Sequence, residues 1–210
     1  MLQFILGIVF IFTSPTSGEW ELVDEKDNIK VYTRKTDESK YEQIKIIAKI
    51  KSPISEIVKA LEDVDYHQEW VYETNETRFL NKRSYNDFDY YAKMNMPFPI
   101  KDRDIVINYN RSQEPESKVV NIISKAAPTL LDKQKKLIRI ETFLSTYTLK
   151  PLPNGWVKVE YFMAADPGGK LPAWVVNLFT TKGPVATMES LITLIDSGYY
   201  RGKKAQDIID

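Results

Sequence analysis

The sequence has no cysteine and a single histidine among its 210 residues. The first absence removes disulfide frameworks, thiolate zinc sites, iron–sulfur clusters and cysteine nucleophiles. The second leaves His67 without the partners that a His-rich metal site, a two-His-one-carboxylate iron site or a paired-histidine metalloprotease requires. No metal and no cofactor are therefore expected. Net charge is missing as well: 29 basic residues balance 29 acidic ones at a pI of about 6.6, so no global field draws the chain to nucleic acid. No repeat, low-complexity stretch or Gly/Ser-rich linker divides it. What is present is 43% hydrophobic, 28% charged and 12% aromatic, the makeup of one domain that buries roughly 70% of its unfolded surface.

Residues 1–18 are expected to lie outside that domain. Leu2 to Phe12 is apolar except for Gln3 and Gly7, about half of the ~20 residues a membrane-spanning helix needs. Thr13 to Gly18 is small or turn-forming, and Thr16 and Gly18 suit cleavage before Glu19, the pattern of a signal peptide. Residues 19–210 would then be exported, to a periplasm or the exterior. No Lys or Arg precedes the apolar run, so membrane association through a retained N-terminal segment stays open. Asn75-Glu76-Thr77 and Asn110-Arg111-Ser112 match the glycosylation sequon, which matters only in a eukaryotic secretory pathway.

The remaining chain reads as strands, a short helical interruption, more strands and a long terminal helix. Trp20 to Val23 and Ile29 to Arg34 predict a hairpin around Asp27-Asn28, followed by a strand from Tyr41 to Ile50. Ser52 is placed to cap a helix starting at Pro53, with Glu56 near the reciprocal position and Ile54, Ile57, Val58 and Leu61 on one face. A further helical turn covers Asp65 to Trp70. Strands are expected at 74–80, 88–95, 105–110, 119–126, 137–152 and 156–165, the fifth long enough to bend and so to obscure which residues share a face. From Pro172, the apolar residues Trp174, Leu178, Val185, Met188, Ile192 and Ile195 trace one helical face. Gly183-Pro184 interrupts it and predicts a kink. An antiparallel sheet with a long helix packed across its apolar face makes an α+β grip.

Alternation places Phe88, Tyr90, Ala92 and Met94 on one face, with Ile105, Ile107 and Tyr109, and then Val157, Val159, Tyr161 and Met163, on the matching faces of later strands. Buried phenols want hydrogen-bond partners. Tyr90, Tyr109 and Tyr161 either reach backbone or water, or face a cavity that holds a ligand's polar group.

Several segments resemble one family. MPFPIKDRDIV (96–106) is similar to the proline-then-Arg-Asp signature of START domains, the StAR-related lipid-transfer family. DPGGKLPAWVVN (166–177) resembles the family's turn into its C-terminal helix, and WELVDEKDNIKVYTRK (20–35) its opening hairpin. Asp65 to Trp70 falls where the family has a helical segment ending in Trp, although Val71 follows where many members have Asp. The resemblance implies a helix-grip fold, a curved antiparallel sheet closed by the C-terminal helix around a hydrophobic tunnel for one lipid.

On that reading the cavity lining is Phe88, Tyr90, Met94, Ile105, Ile107, Tyr109, Val159, Tyr161, Met163, Trp174, Leu178, Val185, Met188 and Ile192. Arg103, Asp104, Pro167 and Gly168 are structural: Pro97 and Pro99 fix an extended path, the Arg103 guanidinium ties down carbonyls or a carboxylate, and 166–169 is a turn with glycine at positive φ. Sterol-carrying members place an acid and an arginine inside the tunnel. Counting from Arg103 puts Tyr90 and Tyr109 there, a tunnel without a buried ion pair. The expected partners are a lipid and a transient membrane contact, for a monomer that binds no nucleic acid, with Arg201, Lys203 and Lys204 as a small basic tail. Other readings are a helix-grip enzyme of cyclase or hydrolase type, with Glu141 and Glu160 as the best acids, and a ligand-sensing module. Both glutamates, and His67, are expected to face water, and no catalytic residue is assigned.

Overall fold

A computed structural model describes residues 18–210, so the expected signal peptide falls outside the described residues except for Gly18. Ten strands, a short helix with a 3-10 turn after the third strand, and a C-terminal helical segment make up the fold. They are β1 (Glu21–Lys26), β2 (Ile29–Thr36), β3 (Ser39–Lys51), α1 (Ile54–Glu62), a 3-10 turn (Val64–Glu69), β4 (Thr74–Lys82), β5 (Asp87–Met94), β6 (Arg103–Gln113), β7 (Val120–Ala126), β8 (Ile138–Arg139), β9 (Thr142–Leu152), β10 (Trp156–Asp166), α2 (Ala173–Asn177) and α3 (Gly183–Asp196). The sheet order is β1-β2-β3-β10-β9-β7-β6-β5-β4, antiparallel at each pairing, with β8 added parallel to β6.

Period-2 alternation builds this sheet. In β3, Ile44, Ile46, Ala48 and Ile50 are buried while Lys49 and Lys51 are exposed. The register sets Ile50 opposite Val157 and Ala48 opposite Val159 of β10, so the apolar faces of β3 and β10 are continuous. Onto this face pack Ile57, Val58 and Leu61 of α1 and Met188, Leu191 and Ile195 of α3. Tyr200, just past α3, is buried and donates its hydroxyl to Asp63 Oδ2 at 2.9 Å.

Four local expectations are corrected. Ser52 does not cap α1; its hydroxyl donates to Glu56 Oε2 at 3.1 Å. Asp210 serves the helix start instead, accepting from the Ser55 amide and hydroxyl at 2.9 Å each, a carboxylate where helix N–H groups lack partners. Pro97 and Pro99 do not extend the chain but turn it: the Ile100 amide donates to the Pro97 carbonyl at 2.9 Å, and the Phe98–Pro99 bond is cis. The predicted strand 137–152 breaks into β8 and β9. Arg139 donates Nε and Nη2 to the two Asp104 carboxylate oxygens at 3.0 and 2.8 Å, which docks β8 against β6 rather than in line with β9. Finally, the irregularity expected at Gly183-Pro184 is a wide π turn just before it, Leu178–Lys182. Pro184 sits in the first turn of α3, where its missing N–H costs least. Only glycine fits at 183, since a Cβ there would stand 2.7 Å from the Leu178 carbonyl oxygen and 3.3 Å from Tyr72 Cδ1.

Candidate ligand cavity

The helix does not meet the sheet everywhere. Between the α2–π-turn segment and strands β5, β6, β7, β9 and β10 lies a cavity of about 440 Å³, within the ~300–1,000 Å³ range of small-molecule sites. The inner face of β6 frames it. Along that face run Arg103, Ile105, Ile107, Tyr109 and Arg111, and the cavity touches the three middle residues.

Both flanking arginines are buried and already engaged. Arg111 donates Nε to Glu62 Oε1 at 2.6 Å and Nη2 to the Gln206 carbonyl at 3.1 Å, while the Tyr109 hydroxyl reaches the same Glu62 oxygen at 3.3 Å. A buried ion pair therefore stands beneath Tyr109, outside the residues that line the cavity. Sequence reasoning missed it because its acid comes from the end of α1. Burial raises the Glu62 carboxyl above its ordinary value, against the pull of Arg111. Arg103 donates to three carbonyls, those of Lys101, Pro167 (3.4 Å) and Gly168 (3.2 Å). Its partner is thus the 166–169 turn, as expected of a guanidinium tying down carbonyls, and Asp104 pairs with Arg139 instead. Gly168 and Gly169 both have φ of +71°, which brings the Gly168 carbonyl to Arg103 without strain.

Besides Tyr72 and Tyr109, three phenols enter the cavity wall. Tyr90, Tyr147 and Tyr161 line it, with the Tyr147 and Tyr161 rings 4.6 Å apart. Burial raises the pKa of each above the ordinary phenol range, so all remain protonated donors. Tyr161 has Ser145 as a hydrogen-bond neighbour. Beside them, His67 is not a surface residue. It lines the cavity, edge-on to Trp70 and Tyr90, with Nε2 3.1 Å from the Leu61 carbonyl. That contact assigns the proton to Nε2, and burial lowers the imidazole pKa to about 4, leaving it neutral at pH 7.

Of the expected lining, Tyr90, Met94, Ile105, Ile107, Tyr109, Tyr161, Met163 and Leu178 are brought together around the cavity. Phe88, Val159 and Met188 are buried in the solid core, and Val185 and Ile192 pack against it. Trp174 is 50% exposed. Alternation identifies the inward face but not whether that face meets a void. The omitted wall comes from Phe143, Ser145 and Tyr147 of β9, whose alternation becomes readable once the strand is known to restart at Thr142. Glu141 and Glu160 lie outside the cavity, paired with Lys133 and Lys158. Among the described residues no group of His, Asp and Glu suited to a metal is present.

An antiparallel sheet gripping one helix over an apolar cavity defines the helix-grip class. A START domain family model matches residues 14–191, and the chain belongs to that family. It is 30% identical to an uncharacterized protein of Pseudomonas aeruginosa over 173 residues, 82% of this chain and 85% of that protein. It is 20% identical to the human phosphatidylcholine transfer protein, across 79% of this chain and 78% of that one. Its fold matches the StAR-related lipid transfer protein of Xanthomonas axonopodis with TM-score 0.77 at 25% identity, covering 84% of this chain and 98% of the other.

Proposed function

We propose that the protein is a carrier that holds one hydrophobic ligand in this cavity and moves it between membranes. The single observation behind this reading is the internal cavity, walled mainly by aliphatic and aromatic side chains and roofed by the terminal helix. Named relatives that are transfer proteins support it. Against water, burying a sixteen-carbon chain gains on the order of 12 kcal/mol at about 0.8 kcal/mol per methylene. Against a bilayer the chain is already in hydrocarbon, so exchange is close to neutral and needs no chemical step. The cavity's titratable groups favour a carrier over an enzyme, since its histidine, with a pKa lowered to about 4, is a poor proton acceptor and the candidate acids Glu141 and Glu160 lie elsewhere.

Two exposed side chains beside the cavity suit a transient membrane contact. Phe98, next to the lining residue Pro97, is 97% exposed, and Trp174 stands one turn before the lining residue Leu178. Large apolar side chains so exposed suit insertion among acyl chains. The π turn, with its looser hydrogen bonding, is the natural point of opening. Transfer of a fluorescent phospholipid or fatty-acid ester between donor and acceptor vesicles tests the reading. Acceleration is expected, and its reduction by Phe98→Ser with Trp174→Ser. No acceleration with any lipid would overturn it.

A further inference from the structure

The carrier reading leaves the ligand's chemistry open, and the cavity's polar groups narrow it. Among the described residues the Tyr90 and Tyr147 hydroxyls have no hydrogen-bond partner, although both side chains line the cavity. Opening onto the cavity rather than sealed in the core, the two hydroxyls are placed to donate to whatever fills the space. Tyr161 stands against Tyr147, 4.6 Å between ring centroids, which gathers three phenols in one part of the wall. The same wall is poor in charge. His67 is neutral, and among the described residues the one acidic or basic lining side chain besides it is that of Glu73, an exposed residue in the turn before β4. The cations nearest the β6 face are occupied: Arg111 by Glu62, and Arg103 by three carbonyls.

Resting on the carrier reading, we infer that the cavity selects a lipid whose inserted polar end is uncharged and accepts hydrogen bonds, an ester or ketone carbonyl, over one with an ionised head. A carbonyl oxygen offers two lone pairs to converging O–H donors and loses little on leaving water. A carboxylate or a phosphocholine entering the same space would give up its hydration with no free counter-charge to meet it. A plain alkane would leave the phenols unpaired, the situation in which polar sites discriminate most strongly.

Binding of four probes with the same sixteen-carbon chain tests this: methyl palmitate, palmitate at pH 7, palmitoyl lysophosphatidylcholine and hexadecane, each competed against a pyrene-labelled fatty-acid methyl ester. The ester is expected to bind about tenfold more tightly than hexadecane, the worth of one or two hydrogen bonds, and about tenfold or more above palmitate and the lysophospholipid. In Tyr90→Phe/Tyr147→Phe the ratio of ester to hexadecane affinity should fall to within about twofold. The wild-type series alone decides the matter if that variant folds poorly. Palmitate or lysophosphatidylcholine binding as tightly as the ester would overturn the inference while leaving the carrier intact. Equal binding of ester and hexadecane would overturn it by showing the phenols satisfied by water. If the labelled ester and all four probes fail to bind, the carrier reading fails first and this inference with it.

Discussion

The space between sheet and helix has a solid end and a hollow end, built from the same alternating pattern. At the solid end Ile44, Ile46 and Ile50 of β3 and Val157 and Val159 of β10 are buried against Met188, Leu191 and Ile195 of α3. At the hollow end Tyr90, Ile105, Ile107 and Tyr147 face inward equally, but the roof above them is Leu178, Phe179, Gly183, Pro184 and Thr187. Glycine, proline and threonine reach less far than methionine, leucine and isoleucine. The cavity therefore follows from what the roof lacks rather than from any special feature of the walls. Its surroundings are held differently too, by Arg103 on three carbonyls and by the buried pairs Arg111–Glu62 and Arg139–Asp104.

The largest way to break this comparison is to remove a charge that frames the hollow end. Arg139→Met leaves the Asp104 carboxylate buried and unpaired, and should cost about 3–5 kcal/mol in urea unfolding; a change within experimental error would mean that β8 is not pinned by that pair. At the solid end Ile46→Ala should cost about 2–5 kcal/mol, the penalty of a cavity that neighbours cannot fill, and should leave lipid binding within about twofold.

A third test uses pH. His67 has its pKa lowered by burial from 6.5 to about 4, so the unfolded chain takes up the proton first as pH falls. Stability should drop between pH 6.5 and 4 by on the order of 3 kcal/mol, and His67→Gln should lack this component. Asp89, held at about 2 by Arg83, adds a separate loss between about pH 4 and 2. Glu62, whose pKa is raised, acts in the opposite sense in both proteins and cancels from their difference. Parallel stability profiles for the two proteins would place the imidazole in contact with water.

Smaller effects come from the roof. Gly183→Ala presses a methyl group on the Leu178 carbonyl and should cost about 1–3 kcal/mol, with a faster loss of bound lipid as the π turn is displaced. Leu178→Ala, a residue over space rather than packed in core, should cost less than about 1 kcal/mol by thermal unfolding. A penalty as large as that of Ile46→Ala would erase the distinction between the two ends.

Much of this was legible in the sequence because it depends on period. The strands, the short helix after Lys51, the apolar stripe from Leu178 to Ile195 and the inward set on β5, β6 and β10 follow from spacing, and the START resemblance joined them in the right order. What spacing does not encode is the tertiary partner. Phe88 and Tyr90 share a face two residues apart, yet one stacks behind the lining residue Tyr109 at 4.4 Å and the other opens on the cavity itself. His67 looked solvated in a run of polar residues, but the 3-10 turn aims it inward. Glu62 and Arg111 are 49 residues apart, and no local signal links them. The β9 wall was hidden by the break at Glu141, which resets the alternation of everything after it.

The most direct test of the hollow end as a ligand site is native mass spectrometry of the purified protein before and after incubation with mixed liposomes, compared with Ala92→Phe, which fills the cavity from the β5 wall. One lipid per chain on the wild-type protein, and a much reduced share on the filled variant, is the expected result. Wild-type protein that stays empty after incubation, or lipid retained equally by the filled variant, would contradict it.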